Sequence, residues 1–221
     1  MKDLSKIKFW LFDLDNTLYS GDTKVFDQVD KKMSKFISEK LNVSLEEAKK
    51  IQKNYFHEYN TTLNGMIKNH DIDANEFLEF VHDVDLGFLK KNEPLKIEIE
   101  KLKGKKIIFT NGSKAHASNV TSRIGIEQLF DGVFDIVDSD FYPKPSMEPY
   151  KKIIENYKIV PEYCIFFEDI ARNLKPAYEL GMKTVWIENN EPWAAKYSDE
   201  EFVNYKTGSL TKFLKEINEH R

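Results

Sequence analysis

The stretch Phe9-Trp10-Leu11-Phe12-Asp13-Leu14-Asp15-Asn16-Thr17-Leu18-Tyr19 restricts the fold of this chain more than any other. An apolar run leads directly into two carboxylates, the pattern of a buried parallel strand that ends in a reactive loop. Residues i and i+2 of a strand share a face, so Asp13 and Asp15 both project past its carboxyl edge if the strand geometry persists. Open α/β sheets hold their ligands at that edge. An isolated D-x-D is as readily a solvated turn, and what argues against that reading is the rest of the chain.

Residues 94–221 alternate between strand and helix patterns. Pro94, Leu95, Ile99 and Leu102 outline a helix that Gly104 ends, and Lys105–Phe109 follows as a strand running into Thr110-Asn111-Gly112-Ser113. A hydroxyl, an amide and free helix N–H groups suit a phosphate oxygen, although Asn111 or Ser113 would also serve as an ordinary helix cap. A helix over 115–124 and a strand over 133–137 come next. In Pro143-Lys144-Pro145 the two prolines deny the lysine a helix and hold it on a stiff loop. A helix over 149–157 leads to a strand at 164–167 that ends in Glu168-Asp169, an unfavourable finish for a buried strand unless a cation meets it. The stripe Leu174, Ala177, Tyr178, Leu180, a strand at 183–187 and an amphipathic helix through Leu210, Phe213, Leu214 and Ile217 complete the pattern. Short connections between alternating elements predict an α/β fold with a doubly wound, Rossmann-like parallel sheet.

Residues 20–92 carry no strand signal. Val29, Met33, Phe36, Ile37 and Leu41 have helical spacing, and Ser44-Leu45-Glu46-Glu47 and Asp73-Ala74-Asn75-Glu76 have capping-box spacing. The expected organisation is a catalytic core from 1–19 and 93–221 and an all-helical cap, 20–92, inserted over the carboxyl edge as a lid. The aromatic residues Tyr55, Phe56, Tyr59, Phe77, Phe80 and Phe88 read mainly as cap core. His57 reads as cap packing and His116 as a structural residue in its helix.

With 41% hydrophobic residues in 221, the chain can bury a core, and its net charge of −4 with dispersed Lys and Arg gives no nucleic-acid footprint. No apolar run approaches the ~20 residues of a membrane span. Residues 1–6 lack the apolar stretch of a signal peptide, so a cytoplasmic setting is expected. A lone cysteine, Cys164, fits a reducing compartment and reads as a buried small hydrophobe.

In a parallel sheet the strand ends of one direction share an edge, which brings Asp13, Asp15, Thr110, Lys144, Glu168 and Asp169 together. Two carboxylates ~4 Å apart repel by about 4 kcal/mol at an effective dielectric of 20. Such a cluster must hold protons or bind a cation, and oxygen ligands without His or Cys suggest Mg²⁺. The chemistry implied is phosphoryl transfer.

Four motifs, Asp13-Leu14-Asp15-Asn16-Thr17, Thr110-Asn111, Lys144-Pro145 and Glu168-Asp169 followed by Asn173, resemble those of the haloacid dehalogenase superfamily over the whole chain. Asp15-Asn16-Thr17-Leu18-Tyr19, Tyr59-Asn60-Thr61-Thr62-Leu63-Asn64-Gly65, Phe109-Thr110-Asn111-Gly112 and His116-Ala117 are most similar to its pyrimidine 5'-nucleotidase group. Asn60 and Glu168-Asp169-Ile170 depart from that group's pattern. The resemblance implies Asp13 as nucleophile and Asp15 as general acid and base. It implies Mg²⁺ on the Asp13 carboxylate, the Asp15 carbonyl and Asp169, with Glu168 and Asn173 supporting. Thr110, Asn111 and Lys144 would hold the phosphoryl oxygens. The implied substrate is a small phosphorylated metabolite, a pyrimidine nucleoside 5'-monophosphate first, read by Tyr19, Tyr55, Tyr59 and Thr62. Phosphoglycolate, a sugar phosphate or a phosphomutase reaction are the alternatives, and last among them a non-catalytic binding protein on the same fold. With no arginine in 20–92, only lysines of the insertion are expected to meet a substrate carboxylate.

Overall fold

A computed structural model describes residues 4–189 and 191–220; residues 1–3, within the amino-terminal stretch read above, lie outside the described residues. The elements in chain order are β1 (Phe9–Phe12), α1 (Val25–Leu41), α2 (Leu45–Tyr59), α3 (Thr62–His70), α4 (Ala74–His82), α5 (Glu93–Lys101), β2 (Lys105–Phe109), α6 (Lys114–Ile124) and β3 (Gly132–Phe134). They continue with α7 (Met147–Tyr157), β4 (Cys164–Glu168), α8 (Leu174–Glu179), β5 (Lys183–Ile187), α9 (Pro192–Ala195), β6 (Tyr205–Thr207) and α10 (Leu210–Glu219). The sheet order is β3-β2-β1-β4-β5-β6 with every pairing parallel.

β1 lies in the middle because it is apolar on both faces. Trp10, Phe12 and Leu14 enter the core on one side with α5, α6 and α10, while Leu11 joins Ile107, Phe109, Phe166 and Tyr150 on the other. Phe12 stacks on Phe167 of β4 with centroids 4.9 Å apart. Gly104 makes the entry to β2 feasible: its φ is +102°, and a Cβ there would lie 2.1 Å from the Lys8 carbonyl oxygen.

Helices α1 to α4 follow β1 without a strand between them and share their own cluster of Val29, Phe36, Ile37, Leu63, Met66, Phe77 and Val81. Ser44, Thr61 and Asp73 accept from backbone amides as N-caps of α2, α3 and α4. Gly65 lets α3 approach α2, since a Cβ there would stand 2.3 Å from the Tyr55 ring.

Two expectations need correction, and one element is new. The strand expected over 133–137 stops at Phe134, because Asp135 Oδ1 accepts from the amides of Val137 and Asp138 and turns the chain. The edge strand β6 was not foreseen. Phe88, expected in the core of the insertion, is 61% exposed.

Candidate active site

The strand ladder delivers the first groups to the carboxyl edge. Asp13 follows β1 directly, and its amide still donates to Phe167 O at 2.9 Å; the Thr110 amide beyond β2 donates to Phe134 O at 3.0 Å. Lys144 reaches the same point from its proline turn and is buried, with Nζ 2.7 Å from Asp13 Oδ1, 2.7 Å from Glu168 Oε2 and 2.9 Å from Phe109 O. Those three acceptors match the three hydrogens of the ammonium. The lysine loop is held by Asn111, whose Oδ1 accepts from Lys144 N at 2.9 Å and whose Nδ2 donates to Lys144 O at 3.4 Å. Ser113 rather than Asn111 caps α6, accepting from His116 N at 3.2 Å. Thr110 Oγ1 accepts from Gly112 N at 2.9 Å, which leaves its hydroxyl hydrogen to donate elsewhere.

Asp13, Glu168 and Asp169 each place a carboxylate oxygen within 4.8 Å of the others'. Glu168 is engaged at both oxygens, by Lys144 and by the Ile170 amide at 3.1 Å. Asp169 Oδ2 accepts from Asn189 Nδ2 at 2.8 Å, and its backbone carbonyl accepts from Trp186 Nε1 at 2.7 Å. Asn173 is buried in the cavity wall, and its carbonyl accepts from the Tyr150 hydroxyl. Burial first, then Glu168, raises the pKa of Asp13 to about 7 even with Lys144 pulling it down. Burial, followed by Glu168 and Asp13, raises that of Asp169 well above the carboxylate range. Burial opposes the Lys144 charge, but Asp13 and Glu168 more than offset it and its pKa is raised. One ammonium does not balance three buried carboxylates, and an all-oxygen donor set of this kind fits a small, hard divalent cation.

Asp15 lines the same cavity but keeps different company from Asp13. Its Oδ1 accepts from the Tyr19 hydroxyl at 2.5 Å and from His116 Nε2 at 2.8 Å. Burial works to raise its pKa, yet the His116 charge and the two hydrogen bonds prevail and hold it at about 2. The resting carboxylate is therefore ionised, the state a general base needs.

A cavity of about 180 Å³ lies between this edge and the helical insertion. The insertion supplies Phe26, Asp30, Gln52, Phe56, Thr62 and His82 to its wall, among others. The structure places Thr62 there, buried, with Oγ1 3.5 Å from Gln52 O. Tyr59 is not among the lining residues; its ring packs edge-on against Tyr55, which bonds His70 through its hydroxyl at 2.6 Å. Phe56, on another face of α2, occupies the cavity wall instead, with Trp193 edge-on at 5.2 Å. An arginine does face the cavity, contrary to expectation, because Arg172 enters from the loop after Asp169. Its guanidinium lies 4.7 Å from the Phe56 ring centroid and donates to Asn60 O at 3.4 Å, while Nε has no acceptor among the described residues. His116, read from the sequence as a structural residue of its helix, instead bonds Asp15, while His82, Asn189 and Arg172 are site residues that sequence reasoning passed over. The only signal was the position of Arg172 between two site motifs.

Fold and site together define a Rossmann-like enzyme that gathers carboxylates and a lysine at its strand ends beneath a helical insertion. The chain belongs to the haloacid dehalogenase-like hydrolases, a family it matches over residues 7–181. It is 30% identical to Phosphate metabolism protein 8 of Saccharomyces cerevisiae, over 95% of this chain and 71% of the relative. It is 27% identical to the glyceraldehyde 3-phosphate phosphatase of Methanocaldococcus jannaschii, over 94% and 96%. Among solved structures, a phosphatase of the family from Thermococcus onnurineus is similar in fold, with a TM-score of 0.62 at 21% identity over 96% of this chain and 98% of that one. The L-2-haloacid dehalogenase of Xanthobacter autotrophicus gives 0.58 at 11% identity, over 96% and 98%. Among the described residues, no helix is long and apolar enough to cross a membrane.

Proposed function

We propose that this hydrolase is a Mg²⁺-dependent phosphate monoester hydrolase that works through an aspartyl-phosphate on Asp13. The observation that carries the reading is the buried set Asp13, Lys144, Glu168 and Asp169, where a nucleophile, its counter-charge and a cation-binding acid lie together. Asp13 attacks phosphorus in line, forming a bond from its carboxylate oxygen as the bond to the leaving oxygen breaks. Lys144, Thr110 and the Asn111 loop hold the phosphoryl oxygens as charge shifts across them. Asp15 takes a proton from solvent and gives it to the leaving oxygen as that bond breaks; the carboxylate then takes a proton from the water whose oxygen bonds phosphorus as the bond to Asp13 breaks, releasing inorganic phosphate and free Asp13. Asp13, Asp169 and the Asp15 carbonyl would hold Mg²⁺, which when bound neutralises the phosphoryl charge, and Glu168 and Asn173 support that loop.

For the substrate we infer a pyrimidine nucleoside 5'-monophosphate. Phe56 and Trp193 supply aromatic rings to the cavity wall, and Arg172 and Thr62, which line the same cavity, are polar residues suited to the edge of a base. A triose phosphate is the second reading, favoured by the Methanocaldococcus jannaschii relative. A cytoplasmic setting fits the single buried thiol of Cys164. The test is phosphate release from UMP, CMP, glyceraldehyde 3-phosphate, phosphoglycolate and p-nitrophenyl phosphate, with Mg²⁺ and with chelator. Release confined to Mg²⁺ and fastest for UMP or CMP supports the reading. Preference for the triose phosphate overturns the substrate, and full activity in chelator overturns the metal.

A further inference from the structure

Asp15 has two oxygens, and both hydrogen bonds that hold its side chain fall on one of them. Tyr19 and His116 donate to Oδ1, and among the described residues nothing donates to Oδ2. The arrangement leaves Oδ2 as the oxygen free to exchange a proton with a leaving group or water.

His116 is itself firmly placed. It sits in the first turn of α6 with a side chain 1% exposed. The His82 ring stacks on it with centroids 4.3 Å apart and planes 11° from parallel. The Ser113 hydroxyl ties the pair together, 3.0 Å from His82 Nδ1 and accepting from the His116 amide. Gly112 borders the pair, and a Cβ there would be in ordinary contact, 3.5 Å, with both His116 Cδ2 and His82 Nε2. His82 is the last residue of α4, so the helical insertion presses directly on the imidazole that holds Asp15.

We infer that His116 is a positioning residue for Asp15: with Tyr19 it pins Oδ1 so that Oδ2 is presented to the leaving-group oxygen, and His82 of the insertion clamps it there. The inference rests on the reading of Asp15 as general acid and base. It assigns to His116 a contribution to alkoxide departure, which poor leaving groups need and good ones do not. Misplacing a catalytic group by about 1 Å can cost roughly 10²-fold.

The experiment compares kcat/KM, which reports steps up to leaving-group departure, for glycerol phosphate and p-nitrophenyl phosphate. The proteins are the parent, Asp15→Asn, His116→Leu and His116→Gln, each checked by its thermal midpoint. We expect His116→Leu to lose about 10²-fold on glycerol phosphate and far less on p-nitrophenyl phosphate. His116→Gln, whose amide can still donate to Oδ1, should recover a large part of that loss. Equal losses on both substrates, or no recovery by glutamine, would overturn the inference and leave His116 a packing residue. If His116→Leu does not fold, His116→Ala takes its place and is read against His116→Gln in the same way: a selective loss on glycerol phosphate that glutamine recovers supports positioning, and equal losses or no recovery overturn it. The underlying reading fails separately: an Asp15→Asn variant with no bias against glycerol phosphate removes the acid role itself, whatever His116 does.

Discussion

Lys144 Nζ lies 2.7 Å from Asp13 Oδ1, and both side chains are almost wholly removed from solvent. Neither charge is stable there alone. Removing one partner of a buried pair costs about 3–5 kcal/mol, because the other charge is left uncompensated. Lys144→Met should therefore lose activity and, in chelator, melt well below the parent. Mg²⁺ should restore part of the difference by balancing Asp13, Glu168 and Asp169. Thermal denaturation with and without Mg²⁺ checks this, and a variant as stable as the parent in chelator would contradict the electrostatic account.

His82 makes a second, pH-dependent prediction. Burial, then the His116 charge, lowers its pKa from 6.5 to about 3. The unfolded chain takes up a proton below pH 6.5, whereas the folded chain does so only near pH 3. The unfolded state thus binds more protons in that window, and stability falls as pH drops through it. His82→Phe keeps a ring against His116 and cannot protonate, so its urea midpoint should fall less steeply over the same window. Parallel pH profiles for the two proteins would refute the assignment.

A third prediction separates two faces of α2. Phe56→Ala should lower kcat/KM for UMP while leaving glycerol phosphate nearly unaffected, because its ring forms the cavity wall beneath Arg172. Tyr59→Ala should leave the ratio between the substrates unchanged, since that ring packs on Tyr55. Steady-state kinetics on both substrates checks the pair. A ratio that moves with Tyr59 and not with Phe56 would reverse the cavity assignment.

How far the sequence could be read follows from the range of the forces concerned. β1 and its acidic end were legible because an apolar run buried on both faces and a carboxylate pair are both local signals, and parallel topology then brings Asp13, Thr110, Lys144 and Asp169 to one edge. β6 was not legible: three residues with Lys206 exposed carry too little burial to mark a strand. In α2, Tyr55 and Tyr59 share one face and Gln52 and Phe56 another. Periodicity shows both stripes but not which meets the cavity, a choice made when Gly65 brings α3 against Tyr55. The bond between His116 and Asp15 spans 101 positions and depends on how α6 docks beside β1, so no local pattern announces it. Arg172 escaped notice for a similar reason: an arginine of the core reaches the cavity through a loop, outside the insertion where a substrate-facing cation was sought.

The central claim is that Asp13 carries the phosphoryl group. The most direct measurement is acid quench of a single turnover with p-nitrophenyl phosphate labelled in the phosphoryl group, followed by peptide mapping of the protein-bound label. Asp15→Asn should accumulate label on the peptide containing Asp13, since its departure step needs little protonation while hydrolysis of the intermediate lacks its base. Asp13→Asn should carry none. Label on the Asp13→Asn protein, or label mapped to another residue, would contradict the account.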